Sequence, residues 1–179
     1  MQKGIIILLN GVSSAGKTTL ARAIQRKAAE PYFWLANDTF YEMIPKKFWD
    51  TNQVEMKFEA LELMGKTIKT FSDDGKNVVV DTVMLTAQKY DLYKYIQSLI
   101  GYRIVLVHVT CPLEEQRKRE KERGDRKIGQ GESQLPILNP QSGYDLTVDT
   151  YQNSADECAQ IIINYLNSKQ QPYAKPAEC

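Results

Sequence analysis

Gly11-Val12-Ser13-Ser14-Ala15-Gly16-Lys17-Thr18, residues 11–18, fills the pattern of a glycine, four residues, then glycine-lysine-threonine. Its flanks give the pattern meaning. Gly4-Ile5-Ile6-Ile7-Leu8-Leu9-Asn10 precedes it, apolar at successive positions as a central strand covered on both faces requires. Leu20, Ala21, Ile24 and Ala28 follow at helical spacing. Strand, loop and helix together make a phosphate-binding loop, of the Walker A type, rather than a plain Gly/Ser-rich turn. Gly11 and Gly16 allow backbone angles closed to residues with a Cβ, so that successive N–H groups from Gly11 to Thr19 turn inward around phosphate oxygens. The helix opening near Lys17 adds the positive end of its dipole. Lys17 offers an ammonium to the β- and γ-phosphates, and the Thr18 hydroxyl is placed to ligate Mg²⁺, so ATP with Mg²⁺ is the expected ligand.

Working outward, strand-like apolar runs recur at 32–37, 77–81, 103–109 and 144–149, and each is separated from the next by a stretch long enough for a crossover. That alternation predicts an α/β fold built on a parallel sheet. Leu61, Met64, Ile68 and Phe71, spaced by three and four, predict a helix within 50–72 with one face on the sheet. Residues 86–100 read as another helix, and Ser154-Ala155-Asp156-Glu157 is a capping box that starts a final helix at about 155. The tail at 168–179 is polar with two prolines and is expected to fray. With no repeat and no linker, residues 1–179 read as one domain, which at this length buries roughly 70% of the surface of its unfolded chain.

The acceptor of a phosphoryl group must be sought in other acids. Asp38 follows Tyr32-Phe33-Trp34-Leu35-Ala36-Asn37, at the carboxyl end of an expected parallel strand, where open α/β sheets place their ligand crevice. It reads equally as a base for an attacking hydroxyl and as the N-cap of a helix beginning Thr39-Phe40-Tyr41. Asp81 ends Val78-Val79-Val80, which suits it to hold Mg²⁺ through water or to contact the acceptor. The aromatic density from Tyr32 to Trp49 serves mostly the core, while the part after Asp38 is placed to wall a pocket for a small organic alcohol. Residues 114–127 carry seven basic and five acidic side chains, and within them Arg117, Arg123 and Arg126 are candidates to close over a transferring phosphoryl group as part of a lid at about 112–143. His108 sits inside the fourth strand and reads as a packed residue rather than a base.

Composition excludes other classes. Lys plus Arg number 23 against 22 Asp plus Glu, so no whole-molecule field points to nucleic acid or an anionic membrane. No apolar run approaches the ~20 residues needed to span a bilayer, and a cytoplasmic location is expected. Cys111, Cys158 and Cys179 have neither disulfide nor zinc spacing and read as reduced thiols.

These residues resemble the chloramphenicol phosphotransferase-like family of P-loop kinases over nearly the whole chain, with shikimate, gluconate and adenylylsulfate kinases as more distant relatives. The likeness rests on residues 6–18, Asp38, Val79-Val80-Asp81, Arg123-Gly124-Asp125-Arg126 and Tyr144-Asp145-Leu146-Thr147-Val148-Asp149-Thr150. It implies a three-layer α/β P-loop kinase fold with a five-stranded parallel sheet ordered 2-3-1-4-5, and ATP as donor. It also implies transfer to a primary alcohol with Asp38 as general base, and closure of Arg123 and Arg126 over the phosphates. The chain is expected to act as a monomer or homodimer on a small-molecule alcohol. The rival readings are a metabolic kinase of a nucleoside, sugar acid or shikimate, and an ATP-sensing module without an acceptor.

Overall fold

Ile6, Ile7, Leu8 and Leu9 are fully buried, and successive residues of a strand point to opposite faces, so both faces of this strand must be covered. In the computed structural model of the protein, whose described residues are 2–85, 96–124, 128–138 and 143–168, the cover consists of two separate cores. Strand β1 (Ile5–Asn10) lies at the centre of a five-stranded sheet ordered β2-β3-β1-β4-β5, with β2 at Tyr32–Ala36, β3 at Asn77–Thr82, β4 at Arg103–Thr110 and β5 at Leu146–Asp149. All four pairings are parallel. Register makes the two cores: Ile7 pairs with Val79 and Val105 on one face, and Ile6 pairs with Val78 and Ile104 on the other.

On the first face lie helix α1 (Lys17–Lys27), through Leu20 and Ile24, and the last helix, through Cys158, Ala159, Ile162 and Leu166. On the second lies α3 (Lys46–Asp73), preceded by the short α2 (Asn37–Glu42). Leu61, Met64 and Ile68 of α3 are buried as their spacing predicts, and Phe71 is packed at the margin of the same core. Helix α3 is broken at Asn52 (φ −147°, ψ 49°), which sets its first turns apart from the stretch that covers the sheet. Two further helices, α4 (Leu113–Arg123) and α5 (Gln130–Gln134), follow β4, and α6 (Ala155–Ser168) closes the order. The capping box forms: the Ser154 N–H and hydroxyl both donate to Glu157 Oε2 at 2.8 Å. Among the described residues no helix is long and apolar enough to cross a membrane.

Of the helix expected at 86–100, residues 96–98 are helical and 86–95 lie outside the described residues, as does the tail from 169. Cys111 and Cys158 are buried free thiols whose pKa values burial pushes up, while Cys179 lies outside the described residues.

His108 stacks on Tyr144 with ring centroids 4.7 Å apart, and partial burial pushes its imidazole below the ordinary 6.5. The sign follows from linkage. Below pH 6.5 the unfolded chain binds a proton that the folded chain refuses, so stability falls as pH drops toward the lowered folded value. His108→Gln should therefore lose less of its melting temperature than the wild type between pH 7.5 and pH 5, and equal losses would show that the imidazole titrates alike in both states.

Candidate active site

The carboxyl ends of β2 and β3 and the segments that follow β1 and β5 border one cleft of about 1020 Å³, lined by Ser13, Ser14 and Gly16 to Thr19 from the loop, by Asp38, Tyr41 and Trp49 beyond β2, by Asp81 from β3 and by Thr150 beyond β5. Arg119, Arg123 and Gln134 border it from α4 and α5. The strand order reverses between β1 and its two neighbours, and a parallel sheet opens a crevice at such a point.

The loop keeps its glycines for different reasons. Gly16 is the residue before α1 and is left-handed (φ 90°, ψ 11°), and no side chain caps the helix, so its first amides remain available to an anion. Gly11 does not have a positive φ. A Cβ there would stand 2.3 Å from the Val109 carbonyl oxygen, so its glycine is required by the close approach of β4. The second left-handed residue of the loop is Ser14, at φ 61°. Successive inward amides arise from this pair of left-handed turns, at Ser14 and Gly16. Val12 and Ala15 send their side chains into the core, so only their backbones can serve a ligand.

Lys17 is buried and donates to the Val12 carbonyl at 2.8 Å, with Asp81 Oδ1 3.9 Å away. The Thr18 hydroxyl donates to Asp81 Oδ2 at 2.5 Å. Two oxygens of different elements thus meet beside the loop lysine, and both are hard donors suited to Mg²⁺. Among the described residues no group of three or more His, Cys, Asp or Glu could hold a metal. The residues fit an ion that retains water and takes phosphate oxygens.

Across the cleft, the backbone of Ala36 occupies the N-cap of α2, and Asp38 lies inside the first turn with its side chain exposed to the cleft. The capping alternative for Asp38 is therefore displaced, because the helix begins at Asn37, two residues earlier than an Asp38 cap would require. Tyr41 is pushed up to about 12, chiefly by burial and then by the Asp38 carboxylate, with the Asn37 amide acting in the opposite direction. It stays a neutral phenol near pH 7. Tyr41 and Trp49 pack at 5.5 Å between centroids and, with Phe58, make the aromatic wall expected after Asp38. Phe48 and Met43 instead face solvent.

Beside the loop, the Thr150 hydroxyl donates to the Ala15 carbonyl at 2.8 Å and accepts from Arg119 Nη1 at 3.0 Å, while Arg119 Nη2 reaches the Thr150 carbonyl at 3.1 Å. Glu115 fixes the same guanidinium from one turn earlier, through Nε at 3.0 Å. Gln134 Oε1 accepts from the Ser13 N–H at 2.7 Å, and Gly131 packs so near the Ser13 carbonyl that a Cβ would come within 2.8 Å. The buried Glu120 carboxylate accepts from Gly129 N–H at 2.7 Å and Gly131 N–H at 2.8 Å, fastening α5 to α4.

Of the arginines singled out in the sequence, Arg123 borders the cleft, Arg126 lies outside the described residues, and Arg117 does not reach the cleft. Arg117 forms an exposed ion pair with Glu132 at 2.7 Å. Helical spacing alone separates the arginines: Arg119 and Arg123 are four apart and share a helix face, while Arg117 lies on the other side. Thr150 and Gln134 had no such signal, since their roles depend on which elements meet.

Residues 4–167 match the family model of chloramphenicol phosphotransferase-like proteins. A protein of Mycobacterium tuberculosis H37Rv, named provisionally as an O-phosphotransferase, is 31% identical over 184 residues, covering 89% of this chain and 81% of that one. Adenylyl-sulfate kinase of Clostridium acetobutylicum is 26% identical over 175 residues, covering 92% and 84%. Among solved structures, the APS kinase CysC of Mycobacterium tuberculosis in complex with AMPPNP and APS superposes with a TM-score of 0.68 at 17% identity, covering 93% of this chain and 99% of that one. Shikimate kinase of Acinetobacter baumannii in complex with shikimate gives 0.64 at 19% identity, covering 95% and 97%.

The Thr150 contacts lead to a paired expectation. Thr150→Ser keeps a hydroxyl for Ala15 and Arg119, whereas Thr150→Val keeps the shape and strands both, at a cost of about 1–3 kcal/mol of stability. Urea melts should separate the two variants by that amount; coincident melts would make Thr150 a packing residue.

Proposed function

The chain belongs to the chloramphenicol phosphotransferase-like family and is a phosphotransferase of the P-loop type; from that premise we propose that it moves the γ-phosphate of ATP to a hydroxyl of a small organic molecule, the reaction type of a chloramphenicol 3-O-phosphotransferase. The observation that carries this reading is the continuity of the cleft: the phosphate loop and the Asp38 wall border one space, so donor and acceptor can meet in it.

The chain's part is positioning and charge. Amides of the loop and of the first turn of α1 hold the phosphate oxygens, and the Lys17 ammonium moves from the Val12 carbonyl toward the β- and γ-phosphates. Thr18 and, through water, Asp81 would hold Mg²⁺, which when bound neutralises charge on the phosphate oxygens. Asp38 takes the proton of the acceptor hydroxyl as its oxygen bonds to the γ-phosphorus and the bond to the β-phosphate oxygen breaks, leaving ADP. Tyr41, with its pKa near 12, is a poor competitor for that proton. Arg119 and Arg123 border the cleft and would stabilise charge on the transferring phosphoryl group, a role we extend to Arg126 from the family resemblance. An ATP-using enzyme of this kind fits a cytoplasmic location.

The decisive experiment is an ADP-release screen over chloramphenicol and other antibiotics, nucleosides, sugar acids and shikimate, with product mass measured for each hit. A phosphorylated antibiotic would support antibiotic inactivation, and phosphorylation of metabolites alone would replace it with the metabolic reading. Lys17→Ala should abolish turnover with the fold intact.

Asp38→Asn should keep its melting temperature and ATP binding and lose about 10²–10⁴-fold in kcat, the usual contribution of a positioned base. Raising Mg²⁺ should partly restore Asp81→Asn, because weakened metal affinity is a mass-action defect, and should do nothing for Asp38→Asn. Recovery of the Asp38 variant by metal would reassign that carboxylate to the ion.

A further inference from the structure

Four cationic side chains border the cleft among the described residues: Lys17, Lys57, Arg119 and Arg123. Lys17 is held by Val12 and Asp81, and Arg119 by Glu115 and Thr150, both on the phosphate side. Lys57 differs in place and in company. It is half-buried on α3, on the acceptor side, with its ammonium 5.4 Å from the centroid of the Trp49 ring, and among the described residues it has no carboxylate partner.

A second observation on the same side is independent of charge. Asn37 is 6% exposed and borders the cleft, and its Oδ1 is a buried oxygen with no hydrogen-bond donor among the described residues. Its amide lies beside the Tyr41 hydroxyl and draws that phenol's pKa down, as an N–H donor does, which sets the oxygen at the other end of the amide. A buried acceptor of this kind calls for a donor, which a hydroxyl in the cleft can supply.

We propose that the acceptor is a small hydroxylated anion, its apolar body against Trp49 and Phe58, its negative group on Lys57 and one of its hydroxyls donating to Asn37 Oδ1. This rests on the phosphotransfer reading for the identity of the cleft, and narrows the acceptor within it. A neutral alcohol of the same shape satisfies Asn37 and leaves the ammonium unpaired, so Lys57 discriminates between a carboxylate and its ester.

The matched probes are 4-(1,2-dihydroxyethyl)benzoate and its methyl ester, titrated calorimetrically into the full chain with a non-hydrolysable ATP analogue and Mg²⁺ present. The acid should bind about 10- to 100-fold more tightly than the ester, as one charge-assisted contact requires. Lys57→Gln should bring the acid down to the affinity of the ester, and Asn37→Ala should weaken both probes by a similar factor. Equal binding of acid and ester, failure of the acid to bind at millimolar concentration, or survival of the preference in Lys57→Gln overturns the proposal. Turnover with ATP separates it from the reading beneath it. Selective binding of the acid without any phosphoester product removes phosphotransfer and leaves the anion site, whereas equally efficient phosphorylation of acid and ester does the reverse.

Discussion

A strand that is apolar at every position has no face to offer to water. Ile6 to Leu9 are fully buried, and covering them on both sides demands helices above and below and strands to left and right. Of the six residues of β1 only Ile5 is less than buried. At its carboxyl end the chain must leave the sheet between β3 and β4, which continue alongside it to Thr82 and Thr110, so the loop is delivered into a trough whose walls already exist. The phosphate loop is thus where the chain passes from the most buried strand into the cleft, and Asp81 reaches it because its strand is in parallel register with β1.

Legibility followed range. Where an outcome depended on neighbours a few residues apart, sequence sufficed: the loop, the buried stripe of α3 and the Ser154–Glu157 cap are local patterns, and each stands where its spacing places it. Asp38 was legible as a cleft residue because the end of a parallel strand is a fixed address. The sheet order came from the family likeness and not from any pattern in the residues, since strand order is a matter of which crossovers run to which side.

What stayed hidden was set by contacts between distant segments. Arg119 is meaningful only because Thr150, 31 residues later, is beside it, and Gln134 because Ser13, 121 residues earlier, lies under it. The break at Asn52 has neither proline nor glycine to announce it. Glycine itself misled on mechanism: Gly11 suggested a special backbone angle, while the left-handed conformation belongs to Ser14, a residue type in which it is uncommon.

The carboxylate of Glu120 has a mechanical meaning. The buried Glu120 carboxylate, holding the amides of Gly129 just before α5 and of Gly131 within it, acts as a rivet, since prising the two helices apart would strip it of both hydrogen bonds. Helices α4 and α5 are therefore one mechanical unit rather than two, joined to the rest of the chain where it leaves β4 near Cys111 and where it continues beyond Gln134.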